Sequence, residues 1–265
     1  MAAKVRFFGD DAALLGTFHL PSRLRPRGAG IVLCNPFGEE AARAHRLYRV
    51  LATQLERAGY PVLRFDFGHC GDSGGAAVDA TVAGWVRDVD TAADELRHES
   101  GVPRVALVGL RLGATLAALA TVRGAVVPRH LVLWDPVVDG RAYLDELAAQ
   151  HDAYMRDELG ERWRPPAADA PRTEALGAPL TPTLTAELAA IQLASRPPRA
   201  DHITVVCTAT APTAALRALR TALPAATWLD RPSTHGWNSD AALNAAVVPI
   251  DIVGAIVERI EATIP

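Results

Sequence analysis

The stretch Val105-Ala-Leu-Val-Gly-Leu-Arg-Leu-Gly-Ala114 decides how the rest of the chain is interpreted. It begins with an apolar run that is typical of a buried strand, and Gly109 and Gly113 then enclose a tight turn before a helix-forming run. A strand, a sharp turn and a helix in this order form the elbow that presents a nucleophile at the edge of a sheet. The residue at the tip is Arg111, where such an elbow carries Ser, Cys or Asp.

An arginine at this position cannot act as an activated nucleophile, because its guanidinium keeps its proton at any physiological pH. Its planar fork of N–H donors can instead bind a carboxylate, a phosphate or a developing oxyanion, so Arg111 is a candidate anion anchor. The alternative is that Arg111 pairs with a protein carboxylate and closes a site that no longer reacts. Four carboxylates are candidates for that pairing: Glu39, Glu40, Asp72 and Asp135.

Size and charge narrow the class of protein. A chain of 265 residues that is 49% hydrophobic can bury the core of one large α/β domain with an insertion, or of two small domains. The net charge of −3 and the absence of a basic run from the sequence argue against nucleic acid as a partner. The three cysteines are too few and too scattered for a disulfide framework or a zinc site, so neither a metal nor another cofactor is expected.

Targeting signals are not apparent in the sequence. Asp10 and Asp11 interrupt the N-terminal segment where a signal peptide needs a continuous apolar run. No stretch approaches the roughly 18 apolar residues of a membrane span. These patterns predict a cytoplasmic protein in a reducing compartment, and they leave the oligomeric state open.

Short apolar runs alternate with helix-forming segments along the chain. Strands are predicted at residues 5–8, 14–20, 30–34, 61–67, 104–110, 130–134, 204–207 and 227–229. Helices are predicted at residues 44–59, 81–99, 112–122 and 213–223, and from residue 249 onward. The first two strands form a hairpin, and the alternation that follows predicts a mostly parallel sheet with helices on both faces.

The alternation breaks at residues 141–199, which contain charged helical stretches and a Pro/Ala-rich piece. We predict that this segment is a lid above the carboxyl edge of the sheet, and that residues 1–140 and 200–265 form the core. Ligands of open α/β sheets bind beyond the carboxyl ends of the strands. Six loops should meet there: residues 35–46, 68–75, 110–113, 135–140, 208–213 and 232–237.

The loop after the third predicted strand reads Asn35-Pro-Phe-Gly-Glu-Glu40. Its proline has no N–H, so Phe37 and the post-elbow Leu112 are the candidate backbone donors of an oxyanion hole. Asn35 and Glu39 are further candidates for substrate binding. The alternative is an ordinary Pro-Gly turn between a strand and a helix.

The best candidate for a general acid or base is His235, in the last loop before the terminal helix. No carboxylate occurs in residues 208–214, where the third member of a catalytic triad is expected. Asp135, at the end of the preceding strand, is the substitute that could orient His235, although it could equally cap a turn. Cys70 is a possible displaced nucleophile activated by His235, and loop geometry is the other role of its glycine-rich turn.

These motifs together resemble the α/β-hydrolase superfamily, in its serine-aminopeptidase-like branch. The resemblance rests on the Asn35–Glu40 turn, Phe65-Asp-Phe-Gly-His-Cys-Gly-Asp-Ser-Gly74, the elbow, Leu133-Trp-Asp-Pro-Val-Val-Asp-Gly140 and the His235 loop. It covers about residues 5–237 and is least specific in the segment 141–199. More narrowly, the chain is similar to hydrolase-like proteins associated with exosortase systems, some of which share an arginine at the elbow.

The resemblance implies an α/β-hydrolase fold with a helical lid insertion, and acyl-group chemistry on esters, thioesters or amides without a cofactor. By position, Phe37 and Leu112 match the oxyanion donors and His235 matches the base. Arg111 and the loop 208–214 depart from the family pattern at the nucleophile and at the acid. This degenerate triad argues against a covalent acyl-enzyme.

Three functions follow from these observations. The first is an enzyme that hydrolyses, eliminates or cyclises a small acyl or carboxylate substrate, with His235 moving a proton and Arg111 and backbone N–H groups holding an oxygen. The second is a pseudo-hydrolase that binds a ligand or a partner protein without turnover. The third is a cysteine hydrolase that uses Cys70.

Overall fold

The computed structural model describes residues 3–21, 27–167, 170–232 and 248–265. The strands in them are β1 (Lys4–Phe8), β2 (Leu14–His19), β3 (Gly30–Cys34), β4 (Val62–Phe65), β5 (Val105–Leu110), β6 (His130–Trp134), β7 (Glu174–Ala175), β8 (Ala178–Pro179), β9 (His202–Cys207) and β10 (Thr227–Asp230). Strands β7 and β8 form a small separate hairpin. The other eight form one sheet in the order β1-β2-β4-β3-β5-β6-β9-β10.

The predicted hairpin and parallel sheet are both confirmed. Strand β2 runs antiparallel to β1 and β4, and the remaining pairs are parallel. The central strands β3 and β5 are buried along their whole length, because helices cover both faces of a parallel sheet and leave no strand face to solvent.

The helices are α1 (Glu39–Arg57), α2 (Val82–Ser100), α3 (Leu112–Arg123), α4 (Gly140–Leu159), α5 (Pro182–Ala189), α6 (Ala214–Ala222) and α7 (Ile250–Thr263). One hydrophobic core lies between the sheet and α2 and α3, and a second lies between the sheet and α1 and α7. Local sequence sets several of the helix starts, since the hydroxyls of Thr81, Thr181 and Thr213 accept a hydrogen bond from an N–H of the first turn. The α/β-hydrolase architecture with helices on both faces is therefore confirmed.

The start of α1 was predicted wrongly. The helix begins at Glu39, five residues before the predicted residue 44, and the strand predicted over residues 61–67 ends already at Phe65. Apolar periodicity missed the first turn of α1 because Glu40, which is buried, interrupts the apolar pattern. Glu39 and Glu40 nevertheless favour a helix start, since carboxylates stabilise the positive end of the helix dipole.

The segment between β6 and β9 contains α4, the β7–β8 hairpin and α5. Helices α4 and α5 pack against each other, and α5 also contacts α2 of the core. The role of this segment as a lid, and its boundaries at residues 141 and 199, stay predictions. None of the helices in the described residues combines the length and the apolar character needed to cross a membrane.

A buried histidine joins three elements of the core. His130 of β6 is fully buried, and its Nδ1 lies 2.7 Å from Thr263 Oγ1 of α7 while its Nε2 lies 2.8 Å from Thr204 Oγ1 of β9. Burial, together with the nearby charges of His202 and Arg259, lowers the pKa of His130 to about 4.

We expect His130 to make the protein sensitive to acid. Its pKa in the folded state lies below the ordinary histidine value of 6.5, so the unfolded state binds the proton more tightly. The contribution to stability is complete above pH 6.5 and is lost as the pH falls toward 4, by about 2 kcal/mol between pH 7 and pH 5. Urea unfolding of wild type and His130→Gln at pH 7 and pH 5 measures this loss in the free energy of unfolding. The control His202→Gln should keep most of the pH dependence, and an equal dependence in wild type and His130→Gln would contradict the assignment.

Candidate active site

The elbow has the backbone geometry of a strained turn. Arg111 adopts φ 54° and ψ −123°, a conformation that residues with a side chain rarely take. A Cβ at Gly109 would overlap the main chain of Ala114, and a Cβ at Gly113 would overlap the carbonyl oxygens of Cys34 and Asn35. The two glycines are therefore required by the close approach of α3 to its own strand and to the loop after β3.

The guanidinium of Arg111 binds two carboxylates of the protein. Its Nε donates to Glu40 Oε1 at 2.8 Å, and its Nη2 donates to Glu146 Oε2 of α4 at 2.6 Å. The hydroxyl of Tyr143 donates to Glu40 Oε2 at 3.0 Å, and the Tyr143 ring centroid lies 5.4 Å from the guanidinium carbon. We call Glu40, Arg111, Tyr143 and Glu146 the elbow cluster.

Burial sets the electrostatics of the elbow cluster. Glu40 exposes 6% of its side chain and Arg111 15%, whereas Glu146 exposes 40%. Burial lowers the pKa of Arg111, but the carboxylates of Glu40 and Glu146 outweigh it and raise that pKa above its usual value. Burial raises the pKa of Glu40, while Arg111 opposes the rise. The positive charge of Arg111 is thus compensated within the protein.

One of the four partners proposed for Arg111 from the sequence, Glu40, does bind it. Sequence reasoning missed Glu146 and Tyr143, which lie three residues apart on α4. No local signal could have found them, since α4 contains several other charged residues in no distinctive pattern. Glu39 does not reach Arg111 but accepts hydrogen bonds from Nε and Nη2 of Arg43, one turn further along α1, at 3.1 and 2.6 Å.

A cavity of about 840 Å³ lies beside the elbow and includes both expected oxyanion donors, Phe37 and Leu112, in its lining. Within the described residues, neither the N–H of Phe37 nor that of Leu112 donates to a protein acceptor. Arg111, Glu39 and Glu40 are not among the residues that line this cavity. The side chain of Arg111 is therefore directed to the elbow cluster and not to the cavity, whereas the next residue, Leu112, lines the cavity.

Asn35 fixes the loop that carries Phe37. Its Nδ2 donates to Phe65 O at 2.9 Å and to Asp66 Oδ1 at 3.0 Å, which ties the loop after β3 to the end of β4. Asn35 also lines the cavity. The amide hydrogens are thus used to position the loop, and a substrate contact of Asn35 would come from its remaining acceptor.

Asp135 is hydrogen-bonded to the first residue of the loop that follows β9. It has φ 44° and follows β6, and its carboxylate accepts hydrogen bonds from Thr208 N at 2.8 Å and Thr208 Oγ1 at 2.5 Å. Thr208 is the first residue after β9, so the Asp135 carboxylate lies beside the loop that lacks an acid of its own. His235 falls outside the described residues.

Cys70 lines the cavity, but its surroundings disfavour a thiolate. Burial, with the negative charges of Asp66 and Asp88, raises the pKa of the Cys70 thiol to about 12. Reactive cysteines have the opposite environment, in which a cation or a helix N-terminus lowers the pKa. Elsewhere in the described residues, no group of three or more His, Cys, Asp or Glu side chains could hold a metal ion.

A strained strand–turn–helix elbow at the end of β5, beside a cavity that Phe37 of the loop after β3 also lines, is the arrangement typical of an α/β-hydrolase site. The sequence model of the serine aminopeptidase family S33 matches residues 25–223, which is more than half of the chain. The protein therefore belongs to the serine aminopeptidase S33 family. The narrower resemblance to exosortase-associated proteins stays a prediction, and no curated protein sequence matches the chain significantly.

Solved structures share this fold at low sequence identity. Proline iminopeptidase of Mycobacterium smegmatis is 15% identical with a TM-score of 0.67, over 99% of this chain and 98% of its own. Est1E of Butyrivibrio proteoclasticus with ferulic acid bound is 16% identical with a TM-score of 0.66, over 94% and 95%. Esterase PF2001 of Pyrococcus furiosus is 15% identical with a TM-score of 0.63, over 99% and 91%. At these identities the likeness concerns the fold alone.

Proposed function

We propose that this protein is an atypical hydrolase-fold enzyme that acts on an acyl or carbonyl substrate without a covalent acyl-enzyme. The observation that carries the proposal is that Phe37 and Leu112 line a substrate-sized cavity and that their backbone N–H groups donate to no protein acceptor in the described residues. Pre-oriented donors of this kind stabilise the oxygen on which negative charge develops, and one such donor contributes about 10²–10³ in rate.

In the proposed mechanism the substrate carbonyl oxygen lies between these two N–H groups and His235 moves the proton. His235 would act as a general base on water for hydrolysis, or on a substrate C–H or O–H for elimination or cyclisation. Asp135 would orient His235 from the end of β6. Its position beside Thr208 supports this role, because Thr208 opens the loop in which the family acid is expected.

Arg111 has a positioning role in this proposal. Its two carboxylate partners already compensate its charge, and a substrate anion would have to displace Glu40 or Glu146 to bind it. The elbow cluster instead fastens the turn to α1 and α4. We further propose that residues 141–199 act as a lid, because Gly177, Ala178 and Pro179 of this segment line the cavity.

The alternative function is that of a pseudo-hydrolase that binds a ligand without turnover. The contacts of Arg111 favour this alternative. The residue that replaces the nucleophile is bound by two carboxylates of the protein, and it does not line the cavity. The Cys70 mechanism has less support, because a thiol with a pKa near 12 is ionised to only about 10⁻⁵ at pH 7.

Turnover without a covalent intermediate is the expected result that tests the proposal. Wild-type protein should hydrolyse, or otherwise consume, members of a panel of aryl esters, thioesters and lactones. Rapid-quench mass spectrometry should detect no acyl adduct, and a fluorophosphonate probe should not label the chain. An authentic serine esterase run in parallel supplies the positive control for both measurements. Complete lack of turnover would favour the pseudo-hydrolase, and an acyl adduct on Cys70 would favour the cysteine mechanism.

A further inference from the structure

The cavity extends beyond the oxyanion donors into a groove between α1 and the antiparallel edge of the sheet. Three neighbouring strands each contribute a side chain to it, namely Val5 of β1, Thr17 of β2 and Arg64 of β4. Val5 pairs with Thr17 and Thr17 pairs with Arg64, so the three side chains form one row on the same face of the sheet. His45 of α1 also lines the cavity.

The guanidinium of Arg64 is half-buried and lacks a carboxylate partner. Its Nε donates to His19 Nε2 at 3.2 Å, and no Asp or Glu of the described residues lies within ion-pair distance of it. Its four Nη hydrogens have no acceptor in the part of the chain that the structure describes. A partly desolvated guanidinium without a carboxylate in ion-pair distance can bind an anion, because its charge has lost water and its Nη donors are unused.

Charges of both signs surround Arg64. Burial and the neighbouring Arg49 of α1 lower the pKa of Arg64, whereas the carboxylate of Asp66 raises it. The nearest carboxylates are committed elsewhere. Glu56 lies 3.5 Å from His19 Nδ1, and Asp66 accepts hydrogen bonds from Asn35 Nδ2 and the N–H of Asp72.

We propose that Arg64 binds a carboxylate or phosphate on the distal end of the substrate, so that the cavity accepts acyl compounds with an anionic group remote from the reacting carbonyl. Arg64 pairs with Leu33 across the sheet, and Phe37 follows Leu33 by four residues, so the two ends of the site are on the order of 10 Å apart. Leu15 and Phe65 line the cavity and offer an apolar surface to the intervening chain. This assignment rests on the proposed function in taking the cavity as the substrate site.

Binding of one pair of probes tests the Arg64 site without requiring turnover. Monoethyl suberate carries a carboxylate at one end, and diethyl suberate is its neutral match. Calorimetry on wild-type protein should give a Kd about 10–100-fold lower for the monoester, the range that a hydrogen-bonded charge contributes. Monooctyl phosphate, measured alongside, distinguishes a phosphate from a carboxylate as the preferred group.

Four variants distinguish binding by Arg64 from general electrostatic attraction. Arg64→Gln should abolish the preference for the monoester, whereas Arg64→Lys should keep part of it and the exposed control Arg217→Gln should keep all of it. Thr17→Asp places a carboxylate beside Arg64 and should abolish the preference with the arginine still present. This variant gives the answer even if Arg64→Gln does not fold.

The proposal is overturned if wild type binds neither probe, if it binds both equally, or if the preference survives Thr17→Asp. Failure of the proposed function gives a different result. A protein that binds the monoester through Arg64 but turns over no acyl substrate would refute the enzyme and leave the anion site. Turnover of neutral esters without a preference for the monoester would refute the anion site at Arg64 and leave the proposed enzyme.

Discussion

Replacing Arg111 by methionine should destabilise the protein by about 3–5 kcal/mol, because it leaves Glu40 as a buried carboxylate without its counter-ion. The loss of stability should depend on pH. Without Arg111 the pKa of Glu40 rises further, so the folded state takes up a proton that the unfolded state releases. The variant should therefore lose additional stability, relative to wild type, as the pH rises from about 4.5 toward 8. Denaturant unfolding at pH 5 and pH 8 measures both effects.

The second substitution Glu40→Gln in the Arg111→Met background should recover most of that stability, since it removes the uncompensated charge. Arg97→Met is the matched control, because Arg97 pairs with Asp94 on the surface of α2 and should cost less than about 0.5 kcal/mol. A loss for Arg111→Met no larger than that of the control would show that the elbow cluster does not stabilise the fold.

Replacing His235 by alanine should lower kcat/KM for the acyl substrates of the wild type by about 10²–10⁴, which is the contribution of a positioned general base. The wild-type rate should also fall toward acidic pH, because a protonated imidazole cannot accept the proton. Stopped-flow or steady-state rates between pH 5 and pH 9 give both results.

The control for His235→Ala is His98→Ala, which removes an exposed histidine at the end of α2 and should leave kcat/KM unchanged. Equal activity of the His235 and His98 variants would remove His235 from the mechanism. A loss in both kcat/KM and unfolding temperature for His235→Ala alone would instead assign the residue a structural role.

The sequence predicted the fold and the elbow well, and the physical reasons are mostly local. Apolar runs such as Val105–Leu110 form buried strands wherever helices can cover them, and the alternation with amphipathic helices specifies a parallel sheet. Gly109 and Gly113 indicated the elbow, since a Cβ at Gly109 would overlap Ala114 of the same turn and a Cβ at Gly113 would overlap the end of β3 and the loop after it. The start of α1 was missed, since a buried Glu40 looks like a surface residue in a pattern based on hydrophobicity.

The sequence by itself therefore determined the sheet and the elbow, which follow from strand order and chain geometry, while the role of Phe37 and Leu112 as oxyanion donors stays a prediction. Only the tertiary structure decided what the arginines do. Arg111 is compensated because α4 brings Glu146, 35 residues away, against Glu40 and the elbow. Arg64 lacks a counter-ion because its neighbouring carboxylates bind His19, Asn35 and Asp72 instead. A charge is set by the residue type, but its partner is set by packing between segments that are distant in the chain.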